Sequence, residues 1–275
     1  MLNAMTVDVE DFFHVSAFES VISPEQWKDY QPRVDTNTRR LLDVFAEKEV
    51  KSTFFVLGWV AERFPELIKE IHNQGHEVAS HGYAHRRATQ QNRQELFQDI
   101  KRSKDHLEDL IGEEVVGYRA PSFSIGYDNE WAFEVIAELG FKYSSSTYPV
   151  KHDLYGTPDW PRFAYIRTED IIEIPIPTLK LIGKQVPIGG GGYFRLYPYK
   201  ISETLIRKYL RQEKQPYSFY FHPWEIDAEQ PRLKNAPLKS RFRHYVNLHR
   251  TEAKLKRLLT DFSWSTMRDV YGVSK

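Results

Sequence analysis

Cysteine is absent from the 275 residues. That excludes disulfides, thiolate metal ligands and a cysteine nucleophile, so any chemistry falls to oxygen and nitrogen groups. Net charge is lacking too: 38 Lys and Arg balance 38 Asp and Glu. No global field draws in nucleic acid or an anionic membrane, and nucleic acid is not an expected partner. Long apolar runs are missing, the longest lying around residues 54–61, far short of the roughly 18 that a membrane span requires. No membrane span is expected. In place of a secretory signal the acidic segment Asp8-Val9-Glu10-Asp11 comes almost at once, and the chain reads as cytoplasmic. There is no internal repeat and no low-complexity tract, and nothing sets an oligomeric state. Aromatics make up 14%, which suits a sugar-stacking cleft and a large core equally.

Strand and helix patterns alternate. Strands are predicted at residues 2–9, 52–57, 77–80, 115–119, 142–145, 171–176 and 218–221. Between most of them lie helical patterns. One starts at a Thr36 cap and aligns Leu41, Leu42 and Phe45, and another carries Leu67, Ile68 and Ile71 up to Gly75. Residues 93–111 close at Gly112, and a further helix begins at Ser202. Residues 251–262 form a packing helix. About seven strands with intervening helices describe a parallel sheet or an incomplete barrel. Residues 148–168 are predicted as a long loop. The glycines of residues 189–195 precede Tyr193 and Phe194 rather than the lysine and hydroxyl of a phosphate loop, and read as flexible backbone near a ligand or as a hairpin turn.

His81 and His85 stand four residues apart behind the apolar pair Val78 and Ala79, with Gly82 allowing a sharp bend. Two imidazoles so spaced can grip one metal ion from one side, although alone they read first as surface histidines. Four predicted strand ends carry polar groups: Asp8/Glu10/Asp11, His81/His85, Arg119 and His222. A parallel α/β fold gathers its catalytic groups at such ends. A carboxylate beside two histidines makes a three-ligand site with room for water, and a zinc-type ion lowers the pKa of that water from about 15.7 to about 7.

Thr6-Val7-Asp8-Val9-Glu10-Asp11, Ser80-His81-Gly82-Tyr83-Ala84-His85, Arg119-Ala120-Pro121 and Phe221-His222-Pro223 resemble, in that order, the motifs of the polysaccharide deacetylases of carbohydrate esterase family four, the NodB-homology domain. With residues 189–195 and His222-Pro223-Trp224-Glu225, the pattern is most similar to the subgroup encoded with bacterial exopolysaccharide loci. The resemblance implies a distorted, incomplete (β/α) barrel of about seven parallel strands. It implies a deacetylase barrel over residues 1–233 and a C-terminal helical extension over 234–275 packed on it. The implied activity is metal-dependent hydrolysis of N-acetyl groups on amino sugars of a bacterial polysaccharide or its precursor. The implied cofactor is a divalent metal, zinc ahead of cobalt or nickel, and the implied partner is a carbohydrate. By motif position Asp8 is the general base, Arg119 orients it, His222 protonates the leaving amine, and His81 and His85 bind the metal. Glu10 or Asp11 supplies the third ligand. Pro121, Tyr193, Arg195 and Trp224 are expected at the substrate.

The chain departs from the family pattern in two places. Val9 and Glu10 separate Asp8 from Asp11, so a regular strand keeps Asp8 and Glu10 on one face while a bend brings Asp11 round. Ser144 follows Tyr143 where many relatives carry an aspartate. A related amidohydrolase acting on a small cyclic amide or imide, or a non-catalytic carbohydrate-binding module, are the alternative readings.

Overall fold

The computed structural model describes residues 1–151, 156–167, 170–181 and 183–274. β1 (Leu2–Val9) leads through α1 (Val34–Glu47) to β2 (Thr53–Val56), and α2 (Gly58–Arg63) with α3 (Pro65–Asn73) leads to β3 (Glu77–Ser80). α4 (Arg93–Ile111) precedes β4 (Gly117–Tyr118), and α5 (Ala132–Glu138) precedes β5 (Tyr143–Ser144). The short β6 (Tyr165–Ile166) and β7 (Ile172–Glu173) follow, then the hairpin of β8 (Thr178–Leu181) and β9 (Lys184–Pro187). α6 (Gly191–Leu196) and α7 (Tyr199–Gln212) lead to β10 (Ser218–Phe221), and the chain continues with α8 (Leu238–Tyr245), α9 (Leu248–Asp261), β11 (Ser263–Ser265) and α10 (Met267–Tyr271).

The main sheet runs β10-β1-β2-β3-β4-β5-β7-β6. Every pairing from β10 to β7 is parallel, and only β6 runs antiparallel to its neighbour. Among the described residues no pairing joins β10 to β6, so the curled sheet stays open: a distorted, incomplete (β/α) barrel. Side-chain alternation along each strand divides the core. Met5, Val7 and Val9 of β1, Phe54 and Val56 of β2, Val78 of β3 and Phe219 and Phe221 of β10 pack outward with Leu41, Phe45, Leu67 and Ile100 of the helices. Ala4, Phe55, Ala79 and Val116 fill the interior together with Met267. The same parity carries Thr6 and Asp8 inward, as it does His81 after Ala79 and His222 after Tyr220. Period two thus aims the strand-end groups at one volume.

Several local expectations change. α1 starts at Val34, not after a Thr36 cap, because the buried Asp11 carboxylate accepts the N–H groups of Arg33 and Val34 at 2.5 and 2.8 Å. Four unpaired amides open every helix, and a carboxylate from a distant turn satisfies them as well as a local cap does. α7 begins at Tyr199, three residues ahead of Ser202. The expected loop at 148–168 contains β6, held by β7, while residues 152–155 and 168 lie outside the described residues. The glycine run is neither a hairpin nor a loose loop: it opens α6. Among the described residues, 234–274 hold three helices and also β11, which pairs in parallel with β1. Among the described residues no helix is long and apolar enough to cross a membrane.

Candidate metal centre

After Val9 the chain turns back on itself, the Glu10 N–H donating to the Asp8 carbonyl at 3.0 Å. This turn keeps the Glu10 side chain with the inward set. Its Oε2 lies 3.3 Å from His85 Nε2 and its Oε1 lies 2.9 Å from His222 Nε2. His81, at the end of β3, donates from Nδ1 to the Arg119 carbonyl at 2.8 Å. A carbonyl only accepts, so the proton sits on Nδ1 and Nε2 keeps its lone pair for a ligand. One ligand atom each from Glu10, His81 and His85 lies within 4.8 Å of the other two.

The loop that carries His85 is braced. His85 itself has a left-handed φ of 50°, a conformation that persists only where surroundings impose it. Asp99 of α4 accepts the Tyr83 N–H at 2.9 Å, and the first amides of α2, from Gly58 and Trp59, donate to the carbonyls of Gly82 and Tyr83. Gly82 has a φ of 75°, and a Cβ there would lie 2.8 Å from Asp99 Oδ2. Glycine is therefore required between the two histidines by both backbone and space.

The residues fit a divalent metal. Glu10 Oε2 is buried without a hydrogen-bond partner, and two imidazoles with one carboxylate form a zinc-type donor set. Burial pushes His81 down to about 4 against the nearby Asp8 charge, leaving the neutral imidazole that binds metals. For Glu10, burial raises the pKa, but the His85 and His222 charges overcome it and hold the carboxyl below the usual range. The reverse applies at His222, where burial lowers the pKa and Glu10 and Glu225 push it up to about 10.

Two buried pairs flank this cluster. Asp8 Oδ1 meets Arg119 Nη1 at 2.5 Å, and the fully buried guanidinium also donates to Thr6 Oγ1 at 2.9 Å, the Ser145 carbonyl at 3.3 Å and Ser145 Oγ at 3.2 Å. On the other side His222 Nδ1 donates to Glu225 Oε1 at 2.8 Å, and Arg195 Nε donates to Glu225 Oε2 at 2.6 Å. Glu225 also accepts the His222 backbone N–H at 3.1 Å, closing a capping box over the short helical turn at Pro223–Ile226. Its spacing of three residues from His222, with proline between, is a signal present in the sequence.

The remaining expected site residues lie elsewhere. Asp11 is outside the ligand cluster: Oδ1 accepts the Phe12 N–H and Oδ2 those of Arg33 and Val34. Burial still pushes its pKa up to about 6. Arg195 is 2% exposed, and its donors go to Glu225 and to the carbonyls of Arg243, His244 and Val246. It ties the α8–α9 corner to the site and is closed to substrate. Trp224 is buried between the rings of His222 and His244, at 5.1 and 4.1 Å, and floors no open cleft. Half-buried Tyr193 stacks on Tyr197. Pro121 is buried, 4.0 Å from where a Gly82 Cβ would sit, and so abuts the histidine loop. The close packing also accounts for the glycine run: a Cβ at Gly191 would lie 2.2 Å from both Glu225 oxygens, and one at Gly190 would strike the Tyr220 ring at 2.7 Å.

Ser144 pairs in register with Glu173 on the neighbouring β7. Glu173 Oε1 accepts the N–H groups of Ser146 and Thr147 at 3.0 and 2.9 Å and the Thr147 hydroxyl at 2.6 Å, bracing the turn from which Ser145 holds Arg119. No periodicity in the sequence signals this residue. Burial pushes its pKa up from 4.5 to about 7. A pKa raised on folding favours the protonated native form, so the stability it contributes is complete below about pH 4.5 and is lost as pH rises through 7. The shift corresponds to about 3 kcal/mol. Glu173→Gln keeps the acceptor and cannot ionise, so its unfolding free energy should rise relative to the parent's by up to that amount between pH 5 and 8. Parallel urea titrations at both pH values check this, and equal slopes refute it.

Residues 28–144 match the family model for polysaccharide deacetylase, and residues 145–272 match the model of a domain of unknown function, DUF3473. Over 107 residues the chain is 30% identical to a peptidoglycan-N-acetylglucosamine deacetylase of Bacillus cereus, covering 39% of this chain and 48% of that one. The chain spans about a quarter to a half of the length of the curated relatives it matches first. In fold it is similar to a polysaccharide deacetylase candidate from Mycobacterium smegmatis, with a TM-score of 0.63 and 20% identity over 98% of this chain and 88% of that one. It also shares its fold with a Bacillus anthracis pseudoenzyme of carbohydrate esterase family four, with a TM-score of 0.51 and 12% identity over 98% of this chain and 64% of that one. The deacetylase match spans the strands that carry His81, His85 and Arg119, so residues 28–144 are a polysaccharide deacetylase domain of carbohydrate esterase family four, the NodB-homology type.

Proposed function

We propose that this chain is a metal-dependent N-deacetylase acting on an amino-sugar polysaccharide or its lipid-linked precursor. The observation that supports it is the Glu10–His81–His85 cluster set between the Asp8–Arg119 and His222–Glu225 pairs at one end of the barrel. Glu10, His81 and His85 would hold the metal, zinc first and cobalt or nickel as alternatives. When bound, a divalent ion polarises an amide carbonyl and makes water nucleophilic near neutral pH.

Asp8 acts as the general base. Arg119 holds its Oδ1, and Oδ2 has no hydrogen-bond partner among the described residues, so it is the oxygen that accepts the proton of the attacking water. His222 acts as the general acid. Glu225 fixes its Nδ1–H, so the proton delivered to the departing amine nitrogen comes from Nε2, as a poor leaving group requires. The products are the free amino sugar and acetate.

Purified protein loaded with zinc or cobalt should release acetate from N-acetylated oligosaccharides. Asp8→Asn should slow this by about 10²–10⁴-fold, the usual contribution of a positioned acid or base. Full acetate release from metal-stripped His81→Ala protein would overturn the proposal. Turnover of cyclic amides or imides alone would move the substrate class. Sugar binding without turnover under saturating metal would favour a binding module, a reading that Ser144 and the altered first motif keep open.

A further inference from the structure

Residues 231–250 contain six basic residues, Arg232, Lys234, Lys239, Arg241, Arg243 and Arg250, and no carboxylate, in a chain whose charges balance overall. α8 lies within this stretch. Its Leu238 and Phe242 stand four residues apart, on one face, and are 79% and 61% exposed, Leu238 more than any other large apolar side chain described. Lys239 and Arg243 are exposed beside them. The inner side of the helix is anchored: buried His244 packs on Phe18 and Trp224, and Arg195 holds the carbonyls of Arg243 and His244. The outward apolar pair therefore sits on a helix fixed in place and is not a frayed end.

We infer that α8 docks the protein on an anionic lipid surface. An apolar pair ringed by cations matches the interface of such a bilayer, where apolar side chains enter the acyl boundary and cations stay among the headgroups. A soluble polyanion would use the cations and leave Leu238 and Phe242 in water. A second copy of the chain would bring six cations against six. The balanced total charge does not oppose this, because screening limits the field to local charges within about 10 Å. Through Arg195 and Glu225 the docked helix is tied to His222, so a bound surface lies on the side of the molecule that carries the candidate acid. That link to a lipid-linked substrate rests on the proposed function; the docking itself does not.

The test is cosedimentation of the full chain with vesicles of phosphatidylcholine alone or mixed with phosphatidylglycerol, at low and high salt. Binding is expected only to the mixed vesicles and to weaken with salt. Leu238→Ser with Phe242→Ser, and separately Lys234→Glu with Arg243→Glu, should each reduce it at least about tenfold, while Arg211→Glu on the remote α7 should not. Circular dichroism and acetate release from a water-soluble substrate should stay unchanged in the serine pair, which separates a failure of docking from a failure of catalysis. No binding to the mixed vesicles at low salt would overturn the inference. So would binding to soluble heparin fragments that the serine pair leaves intact while vesicle binding is also intact, or a concentration-dependent dimer, seen by light scattering, that the serine pair dissolves without vesicle binding by the parent.

Discussion

Arg119→Met is expected to destabilise the fold by about 3–5 kcal/mol, the usual cost of removing one partner of a buried ion pair. The guanidinium is fully buried and Asp8 is 2% exposed, so the substitution leaves a carboxylate charge largely shut off from solvent and without its counter-ion. Thr6 Oγ1 and the two Ser145 oxygens lose their donor as well. Methionine has nearly the reach of the lost side chain, which limits the cavity and makes electrostatics the main term. Adding Asp8→Asn should return part of the loss, because the stranded charge goes too. Urea unfolding of the parent, both single variants and the double variant measures each quantity. A cost below about 1 kcal/mol would mean that the pair behaves as an ordinary exposed bridge.

Glu10→Gln is expected to weaken binding of zinc or cobalt by more than about 100-fold. Partners in the shell around the ligands typically carry 10–100-fold each, so a ligating carboxylate should exceed that range. Asp11→Asn is the informative comparison. Its carboxylate serves the opening amides of α1, so it should cost about 0.5–2 kcal/mol of stability, as a lost helix cap does, with metal affinity kept. Calorimetric titration of the metal-free proteins distinguishes the two. Metal lost in Asp11→Asn and kept in Glu10→Gln would reverse the ligand choice.

Much of the architecture is legible in the residue pattern. Alternating strand and helix periods with short connections admit a mostly parallel sheet, and glycines at 75, 112 and 140 mark helix ends where the backbone turns left-handed. Within each strand, period two alone aligns Asp8 with Thr6, His81 with Ala79 and His222 with Tyr220. What escapes such reasoning has a common cause. Asp11 binds amides 22 and 23 residues away, Arg195 binds a carboxylate 30 residues away, and Glu173 supports a turn 26 and 27 residues away. Hydrogen bonds over such separations follow no local period.

The sequence by itself determined the fold class, the oxygen-and-nitrogen chemistry that an absence of cysteine imposes, and the inward set of polar residues at the strand ends. Only the tertiary structure decided which carboxylate lies beside His81 and His85, because a turn after Val9 sends Glu10 into the barrel and Asp11 to the start of α1. It also decided that the glycines ahead of Tyr193 open a helix against Glu225, and that Arg195 and Trp224 are buried behind His222. Each of those outcomes depends on close packing between segments distant in the chain, where a single Cβ or a single unpaired charge selects the arrangement.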